Sequence, residues 1–368
     1  MNFSYWELKQ WFTNVDFAIV GSGIVGLNCA LTLQQKYPKA KIVILEKGIL
    51  PQGASTKNAG FACFGSLSEL IDDLQTHTEE EVVNLVVKRW EGLQLLRKNL
   101  GDTQIDFQQN KGYELFLESG LYEECLAQKE AINNLLKPIF KSEVFSVSDN
   151  SFGFKKIQQN YIVNNFEGQI DTGKMAHQLL LKVQQAGVTI LNGIEVEEFT
   201  NTEGSVKIKT NVVEFKARKL LIATNGFAQP LLQENVQPAR AQVLITKPIE
   251  NLHIKGTFHL DKGYYYFRNI DNRILFGGGR NLDFKGEETS EFGLTSLIQN
   301  KLDEILKTII LPETEFEVEH RWSGIMGVGN QKKSIVKPIS NNVFCGVRLG
   351  GMGVAIGSLV GKELADLV

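Results

Sequence analysis

The sequence predicts an α/β fold in which a nucleotide-type sheet is interrupted by strand-rich insertions, giving a discontinuous two-domain layout. Three observations predict it. A buried strand, a glycine-rich turn, a helix and a second strand follow one another between Asp16 and Glu46, the size of one βαβ unit. Elements of the same kind return at 174–191, 219–226 and 343–368. The stretches between them, above all 240–280, alternate as strands. A chain of 368 residues also exceeds the usual size of one small domain.

The elements follow in order. Tyr5, Leu8, Trp11 and Phe12 stand at helical spacing and are expected to share a packed face. The apolar run Phe17–Val20 forms the first strand, a helix runs to about Gln35, and Lys41–Glu46 forms the second strand. A loop rich in Gly, Ser and Asn occupies 47–66, and apolar residues then recur every three or four positions from Glu69 to Leu100, which predicts one helical stretch. Strands are expected at 105–117 and 152–166, with a helix at Leu121–Leu136 between them. A helix at Lys174–Gln185, a strand at Val188–Leu191, a hairpin at 195–215 and a strand at Lys219–Ala223 come next. Strands fill 240–280, a helix is expected at about 291–308 and a strand at Glu315–Glu319. Val343–Cys345, a glycine cluster and a helix to Val368 close the chain.

Composition excludes several classes. Hydrophobic residues make up 43% and charged residues 22%, ample for a core. The net charge of −3 is spread along the chain without a basic run, which argues against a nucleic-acid partner. Four isolated cysteines without a CxxC pair read as reduced thiols. Five histidines include no HExxH or other close pair, so no metal site is expected. No apolar stretch approaches the roughly 20 residues that span a bilayer, and the first residues lack the pattern of a secretory signal. The expected location is cytoplasmic, without stable membrane insertion. No GxSxG elbow supports hydrolase chemistry.

Gly21-Ser-Gly23-Ile24-Val25-Gly26 fits GxGxxG and sits between a buried strand and a helix, the context the motif requires. Gly21 permits a sharp turn, Gly23 lets backbone approach a pyrophosphate, and Gly26 lets the helix lie close to the sheet. The helix N-terminus offers N–H groups and a partial positive charge to phosphates. Glu46, at the end of the second strand, is placed to accept hydrogen bonds from ribose hydroxyls. This unit alone does not separate FAD from NAD.

Three further segments bear on that choice. Gly53-Ala-Ser55-Thr56-Lys57-Asn58-Ala59-Gly60 would run beside the middle of an extended dinucleotide and supply hydroxyl and backbone donors. Ala223-Thr224-Asn-Gly226 ends a buried strand, where open α/β sheets bind ligands. Gly350-Gly351-Met352-Gly353 opens the last helix, whose free N–H groups suit an anion such as a reduced flavin ring.

These four glycine sites in this order resemble the D-amino-acid-oxidase-like superfamily of FAD-dependent amine and amino-acid oxidoreductases. Pro238-Ala-Arg240-Ala-Gln242 and Trp322-Ser-Gly324 add to the likeness, which covers Phe17 to Val368. The nearest branch in flavour is that of γ-glutamylputrescine, glycine and sarcosine oxidases. The resemblance implies a Rossmann-type FAD-binding domain made of 1–80, 168–237 and 333–368. An antiparallel-sheet α+β substrate domain, 81–167 and 238–332, would be inserted into it. It also implies oxidation of the C–N bond of a small amine or amino acid by hydride transfer to flavin N5, with oxygen or another acceptor taking the electrons. Ile24, Val25, Lys47 and Val196 join the glycine sites as expected cofactor contacts.

Tyr264 and Tyr266 share one strand face and, with Trp322 and Arg348, are the expected substrate-side residues. His259 is a possible proton carrier, and Cys63 lies close to the flavin loop. Two departures from the family pattern matter. Members that oxidise α-amino acids often carry an Arg two residues beyond Trp-x-Gly, to grip the carboxylate; here that residue is Met326. Arg348, Arg268 and Arg280 are candidate replacements. Sarcosine-oxidase members tether flavin through a Cys in the segment matching 321–329, which has none here, so FAD is expected to be non-covalent. An NAD(P)-linked dehydrogenase and a non-catalytic flavin-binding protein are the alternatives.

Overall fold

In the computed structural model, which describes residues 2–368, two eight-stranded sheets face each other across a deep cavity. The first sheet grows from the most apolar runs of the chain. Val15–Val20 pairs in parallel with Ile42–Glu46 on one side and Glu214–Ile222 on the other. Thr189–Asn192 and Val343–Val347 extend the parallel set at its two flanks, and Ile335–Pro338 closes one edge antiparallel. All five residues of Ile42–Glu46 are buried, as expected of a strand covered on both faces. A meander of Val196–Thr202, Ser205–Thr210 and the start of Glu214–Ile222 covers one face. The helices Ile24–Lys36, Glu79–Leu100, Thr172–Gln185 and Gly353–Asp366 contribute to the core on the other. Their crossings are close: a Cβ on Gly361 would meet the Val25 carbonyl at 2.5 Å, and one on Gly92 the Ala355 carbonyl at 2.3 Å.

The second sheet runs Val318–Val328, Gln237–Thr246, Arg273–Gly278, Tyr265–Ile270, Thr257–Leu260, Gly112–Leu115, Asn160–Asn164, Phe145–Asp149. It is antiparallel except where Thr257–Leu260 meets Gly112–Leu115 in parallel. Its outer face packs an aromatic core in which Phe258 and Phe267 stack at 4.5 Å under the helix Ser296–Ile305. Its inner face carries an in-register row of Glu114, His259, Tyr266, Gly277, Val243 and Trp322, one residue per strand.

Several elements differ from the sequence reading. The helical stretch from Glu69 to Leu100 is two helices, Leu67–Leu74 and Glu79–Leu100, because Thr78 and Glu81 form a capping box that restarts the second. The helix expected at Leu121–Leu136 runs through Ser119–Phe140, with Pro138 inside it, and ends on left-handed Lys141. The strand at 105–117 shrinks to Gly112–Leu115, and that at 152–166 to Asn160–Asn164. The helix expected from 291 begins only at Ser296 and finishes in a π turn, Leu306–Ile310. Glu315–Glu319 is only the entry to the long strand Val318–Val328. At the N-terminus the π turn Leu8–Phe12 breaks the helical period, so Phe12 is buried while Tyr5, Leu8 and Trp11 face outward.

Candidate active site

The cavity has a volume of about 1270 Å³, above the range of ordinary small-molecule pockets, and all four glycine segments reach it. The first is set by backbone geometry. Gly21 adopts φ +100°, donates its N–H to the Leu45 carbonyl, and leaves 3.0 Å between a hypothetical Cβ and the Ala223 carbonyl. Only glycine takes this turn without strain. At Gly23 a Cβ would touch Ser55 Oγ at 2.9 Å, and the same oxygen accepts the N–H of Ile24 at 2.9 Å. The 53–60 loop is thereby tied to the start of the helix.

Glu46 is buried, lines the cavity and is held from three sides. Its carboxylate accepts the Ser22 N–H (3.0 Å), the Ser22 hydroxyl (2.7 Å) and the Gly48 N–H (3.0 Å). Three donors fix its direction. In the loop, Asn58 donates to the carbonyls of Ala54 and Ser55 and accepts the Gly60 N–H at 2.8 Å. Ala59 and Gly60 follow along the cavity wall. Arg268 is buried behind them and donates to the carbonyls of Ala59 and Ile170, the latter at 2.9 Å. Its own burial lowers its pKa to about 10.

Ala223, Thr224 and Gly226 form the third segment of the lining. The hydroxyl of Thr224 is buried without a hydrogen-bond partner. Gly350 and Gly351, at φ +57° and +83°, turn the chain so that Met352 and Gly353 start the last helix at the cavity wall. Ile24, Val25, Lys47 and Val196 also line the cavity.

From the opposite sheet come Tyr264, Tyr266, His259, Ala241, Val243 and Met326. Tyr265 points the other way, into the aromatic core. Burial pushes the Tyr266 phenol up to about 12, so it stays a hydrogen-bond donor. His259 Nε2 lies 2.6 Å from Glu167 Oε1. Burial works against its charge, but Glu167, aided by Glu69 and Glu114, outweighs it and raises the imidazole to about 9. His259 is therefore cationic at neutral pH. Cys63 lines the cavity with its thiol pushed well up by burial and by the nearby Glu167 and Glu69, hence protonated.

Four of the expected site residues lie outside the lining. Gly26 packs against the first turn, where a Cβ would come within 2.0 Å of the Gly21 carbonyl. Thr56 turns its hydroxyl onto the Pro51 carbonyl at 2.7 Å, inside its own loop. Trp322 donates its indole N–H to the Lys57 carbonyl at 2.9 Å and stacks on His320, so it braces the loop. Arg348, itself at φ +63°, donates to the carbonyls of Lys333 and Asn235 and holds the chain ahead of the glycines. Other lining residues carry no signal in the motifs: Glu69 and Asp72, one helical turn apart, Ile194 and Phe292. Phe61 does have one, the apolar stretch that follows the loop.

A parallel sheet with a glycine turn, a fixed carboxylate and a long cavity closed by an antiparallel sheet is the arrangement of a dinucleotide-binding protein. Residues 16–367 match the family model described as FAD dependent oxidoreductase, and the chain belongs to that family. It is similar to γ-glutamylputrescine oxidoreductase of Escherichia coli (strain K12), at 24% identity over 375 residues, 96% of this chain and 83% of that protein. In structure it is similar to glycine oxidase from Geobacillus kaustophilus, with a TM-score of 0.78 at 18% identity over 96% of this chain and 94% of that one. Iminodiacetate oxidase from Chelativorans sp. BNC1 superposes with a TM-score of 0.77 at 17% identity, covering 95% and 94%. The chain is thus an FAD-dependent oxidoreductase, and the NAD(P)-linked and non-catalytic alternatives fall away. The residues present fit FAD: a turn at Gly21 that admits no side chain and a carboxylate, Glu46, fixed at the cavity wall. Among the described residues no helix is long and apolar enough to cross a membrane, and no cluster of three or more His, Cys, Asp or Glu is placed to hold a metal.

Proposed function

We propose that this oxidoreductase breaks a C–H bond next to the nitrogen of a small amine or amino acid, giving an imine that water hydrolyses. The observation that carries this reading is the shared cavity. The four glycine segments line one side, and Tyr264, Tyr266 and Met326 line the other. Bound FAD supplies the redox chemistry by accepting a hydride at N5. The residues of the chain then have three tasks. Gly21, Gly23 and Glu46, with the loop from Ser55 to Gly60, hold the dinucleotide in one place. The segment from Gly350 to Gly353 directs a helix N-terminus at the cavity and favours negative charge there. Tyr264 and Tyr266 orient the amine, and the sheet above them excludes water.

A base is not required if the amine is bound neutral. The cationic His259 favours a neutral amine electrostatically, and it has no free lone pair at Nε2 to serve as one. The absence of Cys in 321–329 and the protonated state of Cys63 support non-covalent FAD. We assign 1–80, 168–237 and 333–368 to the FAD-binding domain and 81–167 with 238–332 to the substrate domain, and take oxygen or another carrier as the electron acceptor. The test is anaerobic flavin reduction across amines, N-methyl amino acids and D-amino acids. Bleaching by a subset is expected. A flavin that no member reduces would overturn the reading.

A further inference from the structure

The helical spacing near the N-terminus predicts one packed face for Tyr5, Leu8, Trp11 and Phe12, yet only Phe12 is buried. Tyr5 and Trp6 are 66% and 71% exposed, and Leu8 and Trp11 38% and 37%. Single apolar residues on a surface need no explanation, but four large ones within seven positions form a patch. The Tyr5 and Trp6 rings meet edge-on at 5.2 Å, and Lys9 Nζ lies 5.8 and 5.9 Å from their centres.

The segment that carries them is already folded. Ser4 and Glu7 close a capping box, with the Ser4 N–H donating to the Glu7 carboxylate at 2.7 Å. The Thr13 hydroxyl donates to the Leu8 carbonyl at 3.0 Å. Phe12 anchors the segment from below, 5.4 Å from Phe3 and 5.3 Å from Phe215. The outward rings are therefore fixed on a firm base and are not waiting for another part of this chain.

Charge points to what covers them. Lys41 Nζ donates to the Thr13 carbonyl at 2.7 Å, which sets a cation at the end of the segment. Exposed Lys39 lies two residues away, and neither Lys39 nor Lys9 makes an ion pair among the described residues. The carboxylates at this end are engaged. Glu7 is closed in its box, Asp16 lies 3.4 Å from Arg218 and accepts the Lys41 N–H, and Glu214 is taken by Lys207 at 2.8 Å. Cations thus stand free beside the rings in a chain whose net charge is −3. Trp and Tyr, each with an apolar body and a polar tip, together with lysine are the residues that settle at the headgroup level of a bilayer. A second copy of the chain would need roughly 20–30 residues a side, far more than this patch supplies.

We propose that the segment Tyr5–Phe12, with Lys9, Lys39 and Lys41, docks the protein on an anionic phospholipid surface. The rings lie among the headgroups, binding is reversible, and no helix crosses the membrane. The strand Val15–Val20, six residues and about 20 Å long, separates this site from the turn at Gly21. Docking therefore leaves the cavity free, and the inference does not depend on the amine-oxidation reading.

The test is co-sedimentation of the holoenzyme with vesicles of phosphatidylcholine alone or mixed with phosphatidylglycerol. The wild type is expected to sediment with the mixed vesicles, less with phosphatidylcholine alone, and less as salt is raised. The partition coefficient is expected to fall at least about tenfold in Trp6→Ser/Trp11→Ser, which loses two buried rings. In Lys9→Gln it falls about fivefold, the effect of one cation near a charged surface. Flavin content and melting temperature should match the wild type in both.

Tryptophan emission locates the contact. The chain has four tryptophans, and Trp90 and Trp322 are half-buried elsewhere. Mixed vesicles should shift the wild-type emission to the blue, and Trp6→Phe/Trp11→Phe should abolish the shift. No sedimentation with either vesicle, equal partitioning in the serine and glutamine variants, or a blue shift that survives in the phenylalanine variant would overturn the proposal. Self-association of the wild type that the serine variant abolishes, without vesicle binding, would assign the patch to a second copy instead.

Discussion

At the residue scale the cofactor side of the cavity is governed by single atoms of clearance. A Cβ at Gly26 would stand 2.0 Å from the Gly21 carbonyl, so Gly26→Ala must push the helix off the first turn. The expected cost is about 1–3 kcal/mol, read as a lower unfolding midpoint in denaturant. Gly23→Val meets Ser55 Oγ and narrows the cavity at the proposed dinucleotide site. Glu46→Ala strands the N–H groups of Ser22 and Gly48. Both variants are expected to purify depleted of FAD, measured as the ratio of flavin to protein absorbance, and full occupancy in both would contradict the placement. His259 makes a separate prediction. Its imidazole keeps a proton up to about 9 when folded, against 6.5 for the free side chain. The folded state therefore binds more protons between these values. The stabilisation is complete below pH 6.5 and is lost as pH rises to 9. Thermal melting across that window should fall more steeply for the wild type than for His259→Gln; parallel slopes would exclude the Glu167 pair as its cause.

At the scale of elements, the loop from Gly53 to Gly60 is positioned by partners distant in sequence. Trp322 reaches its Lys57 carbonyl from the second sheet. Trp322→Phe removes that donor and is expected to cost about 1 kcal/mol and to speed FAD release on dilution; unchanged release would assign the indole to packing alone. Such long-range contacts mark the limit of what was legible in the sequence. The turn at Gly21, the fixed Glu46 and the strand Glu214–Ile222 leading into Ala223 were readable because each obeys a local rule of backbone geometry or period. Trp322, Arg348 and Thr56 were not, since their side chains answer to carbonyls at Lys57, Lys333 and Pro51, and no pattern of residue types encodes which carbonyl is near. The same holds for Arg268, buried on the Ala59 and Ile170 carbonyls, and for Arg280, which lines the cavity. The break between Leu74 and Glu79 did have a local signal, the Thr78–Glu81 box, hidden beneath continuous apolar spacing. The long strand Val318–Val328 was obscured because its start is polar and half-exposed.

For the molecule as a whole, the two sheets have different jobs. The parallel sheet carries glycine-bearing ends from both halves of the chain to one cavity, and the second sheet closes that cavity with an inner row that includes His259 and Tyr266. The account therefore depends on FAD lying along the first sheet with its ring under the second. The most direct measurement is the visible spectrum of the purified protein, followed by acid precipitation and identification of the released nucleotide. The account predicts a yellow protein that releases one FAD per chain into the supernatant and leaves a colourless pellet. A colourless protein that neither takes up added FAD nor gains melting temperature from it would contradict the account.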